Sequence, residues 1–239
     1  MRMKALVFAA GKGERMRPLT DRTPKPLLLA GGKPLIVWHL EKLAAVGVSD
    51  VVINIAWLAE QFPTTLGDGS RWGLRLHYSY EGAEPLETGG GMLHALPLLG
   101  DGGSDKPFLA VNSDIWTDYD FALLPREPRG MATLLMVPNP DHNERGDFAL
   151  DAAGVLHSDG EQRLTFAGIG VYRPALFAQW QGVIGDATGV NEIPPRFKLA
   201  PLLRAAMAGG QVTGQAWRGA WTDVGTPRRL QQLNAELKT

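Results

Sequence analysis

The segment from Lys4 to Ala10, KALVFAA, is a short apolar run that stops on Gly11-Lys12-Gly13. With no polar alternation, such a run reads as a strand covered on both faces, and the glycines read as the turn that ends it. A strand of that kind needs neighbours of the same kind and helices on either side. Leu35, Trp38, Leu43 and Val46 recur at helical spacing up to Gly47, a closing glycine, while Val51 to Ile55, Leu74 to Tyr78 and Phe108 to Val111 read as further strands. Strands alternating with helices predict an α/β fold, Rossmann-like, with a mostly parallel sheet flanked by helices.

The second half adds mixed, antiparallel character. Ala132 to Val137 and Ile169 to Tyr172 read as strands, and Phe148-Ala149-Leu150 with Val155-Leu156-His157 flank the turn Asp151 to Gly154 as a hairpin. Lys198 to Met207 reads as a helix closed by Gly209-Gly210, Val212 to Trp217 as a strand, and Pro227 to Leu237 as a helix with Pro at its start. No repeat or low-complexity linker interrupts the chain, so 1–239 reads as one domain; Asn139 to Asp147 and Gly182 to Arg196 are the segments expected to be mobile.

Composition removes whole classes of chemistry. The 239 residues carry 24 Lys+Arg against 25 Asp+Glu, which argues against a nucleic-acid partner. There is no cysteine, hence no disulfide, thiolate metal site or thiol nucleophile. His39, His77, His94, His142 and His157 show no metal-ligand spacing. No apolar run is long enough to span a bilayer and no cleavable leader is visible, so a soluble, cytoplasmic protein without a membrane partner is expected.

That neutrality is not uniform. Lys12, Arg15, Arg17, Arg22 and Lys25 put five cations within fourteen residues, against Glu14 and Asp21, at the end of the first strand. Open α/β sheets bind ligands at that edge, glycines let backbone N–H groups approach a phosphate, and Pro24 and Pro26 stiffen the chain on both sides of Lys25. A polyphosphate is the expected guest. The dinucleotide fingerprint fits poorly, since Met16 stands where a third small residue belongs, and no Gly-Lys-Ser/Thr supplies an NTPase phosphate loop. Asp114 ends a strand and is expected at the same edge; Asp223 also follows a strand, with helix N-cap as its competing role.

Gly11-x-Gly13-x-Arg15-x-x-Pro18-x-Thr20, Pro24-Lys25-Pro26 and Lys33-Pro34-Leu35, followed by Pro85 to Gly91, Val111 to Asp114 and Trp221 to Pro227, resemble the ordered signature of the sugar-1-phosphate nucleotidyltransferases. Leu86 to Gly91, Thr117 to Asp120 and Gly146 to Leu150 narrow the likeness to bacterial enzymes that uridylylate N-acetylmuramate-1-phosphate. The resemblance implies the nucleotide-diphospho-sugar transferase fold, with the nucleotide on residues 1–115 and the sugar on 116–239. It implies transfer of a uridylyl group from UTP to the sugar phosphate in peptidoglycan recycling, with Mg²⁺ as cofactor and a monomer as the expected state. The related alternatives are a mannose-1-phosphate guanylyltransferase or a glucose-1-phosphate thymidylyl- or uridylyltransferase; from another class comes a non-catalytic nucleotide-sugar-binding regulator.

By the same resemblance, Gly11, Lys12, Gly13, Glu14, Arg15, Lys25, Glu81, Gly89 and Gly90 bind the nucleotide, with Glu84 an alternative to Glu81. Asn112, Asp147 and Glu161 face the sugar, Asp114 and Asp223 hold the metal, and Lys25, Arg15 and Asp114 carry catalysis. The glycines at 89–91 are expected to let the base slide against backbone. Two departures stand out. Ser113 replaces a common glycine and is expected to add a hydroxyl near the metal, and no Glu-Lys-Pro supplies a lysine for the sugar phosphate, a gap that Arg145, Arg163 or Lys198 could fill.

Overall fold

The computed structural model describes residues 3–100 and 105–237. Its strands, in chain order, are β1 (Ala5–Phe8), β2 (Leu29–Ala30), β3 (Lys33–Pro34), β4 (Asp50–Ile55), β5 (Arg75–Tyr80), β6 (Phe108–Asn112), β7 (Ile115–Thr117), β8 (Ala132–Val137), β9 (Phe148–Leu150), β10 (Leu156–His157), β11 (Arg163–Tyr172), β12 (Val212–Ala216) and β13 (Trp221–Asp223). The α-helices are α1 (Leu35–Ala45), α2 (Gln61–Leu66), α3 (Glu87–Leu99), α4 (Trp180–Ile184), α5 (Ala200–Ala208) and α6 (Pro227–Glu236).

Nine strands form the main sheet, in the order β10-β9-β11-β6-β1-β4-β5, with β8 beside β11 and β12 beside β8. β6, β1, β4 and β5 run parallel, β11 is antiparallel to β6, and β12 is parallel to β8. The expected mostly parallel, mixed sheet is therefore present. Alternation along each strand divides the core between two faces. Ala5, Val7, Val51, Ile53, Leu109 and Val111 pack with Ile36, Leu40 and Leu43 of α1 and Phe62 of α2. Leu6, Val52, Phe108 and Ala110 pack with Met92, Ala95 and Leu99 of α3 and Leu202 and Leu203 of α5. A third, smaller cluster joins Met16, Ala30 and Leu35 to Val224, Leu230 and Leu233, so the cation-rich loop rests on α6. Among the described residues no helix is long and apolar enough to cross a membrane.

Several expected boundaries move. β1 ends at Phe8 because the Ala9 N–H turns to the Asn54 side chain (2.7 Å). β11 begins at Arg163, six residues earlier than expected, because its first part pairs with β9 and its last with β6 across an irregularity between Phe166 and Gly170. The segment from Asn139 to Asp147, expected as a mobile loop, is held by a dense set of hydrogen bonds to β11.

Candidate active site

The parallel pairing of β1, β4 and β6 brings their carboxyl ends to one edge, and a cleft of about 700 Å³ opens there. Its floor is the end of β1 and the turn that follows. Gly13 adopts φ 64°, a conformation that favours glycine, and a Cβ on it would stand 2.9 Å from the Thr20 side chain and 3.2 Å from Lys25 Cβ. Thr20 Oγ1 donates to the Gly13 carbonyl (2.8 Å), and Trp57 Nε1 donates to the Thr20 carbonyl (2.9 Å), so the loop carrying Lys25 is tied back to the turn and to the body.

Lys25 is buried, with its Nζ 2.5 Å from Oδ2 of Asp114. Asp114 follows β6 and is held from two sides, since the Val224 N–H donates to its carbonyl (2.7 Å) and β7 pairs antiparallel with β13. That pairing sets Asp223 opposite Ile115, so the two aspartates, far apart in sequence, are neighbours on adjoining backbone. Asp223 does not cap α6; Thr226 does, accepting from the Arg229 N–H (3.3 Å). Oδ1 of Asp223 instead receives Arg229 Nη1 (2.5 Å) and lies 2.9 Å from His142 Nε2.

Gly11, Lys12, Gly13, Glu14, Arg15, Lys25, Glu81, Asn112 and Asp114 line the cleft, as does Glu84, to which Lys12 is paired at 2.7 Å. Glu81 is tied down: it accepts from Asn54 Nδ2 (2.6 Å) and from the Leu86 N–H (2.8 Å), and burial still pushes its carboxyl upward in pKa. Its visible work is to join β4 to the loop before α3. Asn112 faces Gly168, whose φ of 77° and missing side chain leave room for the amide; a Cβ there would be 2.8 Å from Asn112 Nδ2.

The structure departs from expectation at several residues. Gly89 and Gly90 are not on the cleft wall. Their N–H groups donate to the Phe197 carbonyl (2.9 and 3.0 Å), and Cβ atoms on them would meet the Phe197 ring at 2.6 Å and the Pro195 carbonyl at 2.4 Å. A side chain on either would collide with the 195–198 segment, which lies against α3. Ser113, expected near the metal, donates its hydroxyl to the Phe8 carbonyl at the end of β1. Both oxygens of Asp147 are used within the fold, by Asn143 (3.2 Å) and the Phe166 N–H (2.8 Å). Glu161 is exposed in the turn before β11 and is not among the residues lining the cleft.

Sequence reasoning missed Arg196, which lines the cleft with a buried, unpartnered Nε, and Asn54, whose side chain links the Ala9 N–H to Glu81. An isolated arginine in a Pro-rich segment carries no spacing signal, and Asn54 is a polar residue within a strand whose partners come from elsewhere. It also missed His39. Burial lowers the pKa of this imidazole to about 4, so it is neutral at pH 7, and its Nε2 lies 2.8 Å from the Ile115 carbonyl, beneath Asp114. Glu87, on the cleft lip at the start of α3, has φ 63°, a strained value for a residue with a side chain.

Comparison with known proteins gives a consistent answer. Residues 4–146 match the profile of the family described as nucleotidyl transferase. An N-acetylmuramate alpha-1-phosphate uridylyltransferase of Neisseria meningitidis is 46% identical over 98% of this chain and 97% of its own length. A protein of the same description from Caulobacter vibrioides is 34% identical over 98% of this chain and 96% of its own. Among solved structures, a Bacillus anthracis protein assigned as a glucose-1-phosphate thymidylyltransferase superposes with a TM-score of 0.81, covering 99% of this chain and 95% of that one at 21% identity. At that identity the superposition speaks for the fold alone.

Proposed function

The chain belongs to the nucleotidyl transferase family, and from that premise we propose that it transfers the uridylyl group of UTP to N-acetylmuramate α-1-phosphate, releasing pyrophosphate. The observation that carries the reading is the buried Lys25 beside Asp114, at the strand edge where the glycine turn and the second aspartate also lie. The full-length relatives supply the choice of base and sugar.

In this reaction an oxygen of the sugar phosphate forms a bond to the α-phosphorus of UTP. The bond from that phosphorus to the bridging oxygen breaks, and its electron pair leaves with pyrophosphate. The attacking phosphate is already ionised at neutral pH, so no general base and no covalent enzyme intermediate is needed, and catalysis reduces to positioning and charge neutralisation. This fits a cleft supplied with cations and, among the described residues, lined by no nucleophilic triad. We assign the backbone of Gly11 and Gly13 to the nucleotide phosphates and Arg15 to the leaving pyrophosphate. Lys25 belongs between the α-phosphate and the incoming phosphate, where negative charge crowds. Arg196, on the cleft wall, is assigned to a substrate phosphate, the task left open by the missing Glu-Lys-Pro. The nucleotide lies on the 1–115 side and the sugar on the 116–239 side, beside Asn112.

The donor set fits a hard divalent cation. Asp114 and Asp223 adjoin through paired backbone, and among the described residues Oδ1 of the first and Oδ2 of the second have no hydrogen-bond partner. Two carboxylate oxygens completed by phosphate oxygens and water suit Mg²⁺. Bound there, Mg²⁺ would offset charge on the triphosphate and the departing pyrophosphate. The enzyme is read as a cytoplasmic monomer.

The test is pyrophosphate release from UTP, GTP, CTP and dTTP, each with the 1-phosphates of N-acetylmuramate, N-acetylglucosamine, mannose and glucose. UTP with N-acetylmuramate α-1-phosphate is expected to give the highest kcat/KM. A preference for GTP with mannose-1-phosphate would overturn the assignment, and turnover of no pair would point to a nucleotide-sugar-binding regulator.

A further inference from the structure

We infer that Arg229 and His142 are positioning residues for the carboxylate of Asp223, fixing which of its oxygens is presented to the metal. The inference rests on the proposed role of Asp223 as a metal ligand. Pairing of β13 with β7 and the Val224 N–H to Asp114 carbonyl bond fix the main chain around Asp223, but they leave its side-chain torsions free. A carboxylate that rotates presents either oxygen, or neither, to a cation. Something else has to set its angle.

Two side chains from separate elements converge on one oxygen. Arg229 Nη1 lies 2.5 Å from Asp223 Oδ1, and His142 Nε2 lies 2.9 Å from the same atom and 2.8 Å from Arg229 Nη1. Oδ2 has no such partner among the described residues. Asp223 and Arg229 are 20% and 17% exposed, so the pair is shielded enough to hold its geometry yet stays open on one side.

Each partner is itself held. Arg229 stands in the first turn of α6, where Thr226 caps its N–H, and Leu230 and Leu233 anchor the helix to the cluster beneath the cation-rich loop. Gly225 gives the guanidinium its path, since a Cβ there would be 2.2 Å from Arg229 Nη2 and 3.0 Å from Asp223 Oδ2. Gly225 itself lines the cleft, which places Oδ2, 3.0 Å from that Cβ position, close to the cleft wall. His142 is presented by the 139–147 loop. Asn139 Nδ2 bonds the Arg163 carbonyl (3.0 Å), Thr165 Oγ1 donates to Asn139 Oδ1 (2.9 Å), and the Phe166 N–H donates to Asp147 (2.8 Å). That is why Asn139 and Asp147 turn into the loop: they hold His142 in place.

Partners that orient a metal ligand typically matter about 10–100-fold in metal affinity. The probe is Mn²⁺ titrated into the intact protein, without nucleotide, and followed by electron paramagnetic resonance. Arg229→Ala is expected to raise the Mn²⁺ Kd by about tenfold or more, Arg229→Lys to recover part of that loss, and His142→Ala to give a smaller rise. The KM for UTP at saturating metal is expected within twofold of the parent, because the pair contacts the ligand and not the nucleotide. Arg229→Ala combined with Asp223→Asn is expected to bind Mn²⁺ no more weakly than Asp223→Asn alone. An Arg229→Ala Kd within twofold of the parent, or tighter, would overturn the inference. Should that variant fail to fold, Arg229→Lys and the loop variant His142→Ala still decide: unchanged Mn²⁺ binding in both overturns it. If Asp223→Asn itself leaves Mn²⁺ binding intact, the metal assignment falls first and the positioning role falls with it.

Discussion

Replacing Lys25 by alanine separates catalysis from stability, and the structure gives a magnitude for each. Lys25 is 7% exposed and its Nζ is 2.5 Å from Asp114, so the ammonium is placed before any substrate arrives. If it neutralises charge where two phosphates meet, its loss removes a preorganised donor from the reacting centre. Such losses cost ~10²–10³ in kcat, or about 3–4 kcal/mol of barrier. Stability should suffer less. Breaking a fully buried ion pair costs about 3–5 kcal/mol, but the Asp114 side chain is 37% exposed, and water can solvate it once the lysine is gone. A cost of about 1–2 kcal/mol is then expected, which is roughly 2–8 °C in Tm for a chain of this size. Pyrophosphate release at 25 °C with saturating substrates, paired with a thermal melt, measures both. A folded Lys25→Ala enzyme with kcat within fivefold of the parent would refute the assignment. Lys25→Arg keeps the charge but puts a broader planar guanidinium in a buried position that holds a compact ammonium, so partial recovery is expected.

Gly90→Ala puts a methyl group 2.4 Å from the Pro195 carbonyl, a backbone atom that cannot swing away, and should destabilise the fold by ~1–3 kcal/mol; an unchanged urea midpoint would show that the 195–198 segment yields freely. Asp50 is held well below the usual carboxylate range, first by its Arg75 hydrogen bonds and then by Ser49 and His77, against the opposing effect of burial. A carboxylate depressed in the folded state stabilises above its unfolded pKa of about 3.9 and loses that contribution as pH falls toward the folded value. Arg75 is largely exposed, so Asp50→Asn should cost about 1 kcal/mol at pH 7. The difference from the parent should shrink below about pH 4, and a urea-unfolding difference that stays constant from pH 7 to pH 3 would contradict this.

The parallel half of the fold was legible because buried strands such as Ala5 to Phe8 are written as unbroken apolar runs, and α1 because its apolar stripe ends on Gly47. α3 was not, since three glycines and Pro97 hide its periodicity; Gly89 and Gly90 face the 195–198 segment and Gly91 faces Glu81 and Asn54, contacts no local pattern contains. The short pairing of β7 with β13 was equally hidden, because three residues on each side carry no alternation. At the cleft, the cation loop and Asp114 could be read from residue type and position, as could Asp223, which adjoins Asp114 through the pairing of β7 with β13. What could not be read was which polar groups the fold spends on itself. Asp147, Ser113 and Glu81 look like candidates for a ligand in sequence, and each has its side-chain oxygen bonded by the protein's own groups.

The small cluster that joins Met16, Ala30 and Leu35 to Val224, Leu230 and Leu233 bears on how the enzyme is made. A chain emerging from the ribosome can pair β1, β4 and β6 long before residue 230 is synthesised, but the loop bearing Lys25 then lacks the part of its support that Val224, Leu230 and Leu233 supply. The sheet can form early while the reacting centre waits, because the contacts that hold it span nearly the whole length of the polypeptide. Nascent enzyme should therefore gain activity later than it gains resistance to proteolysis.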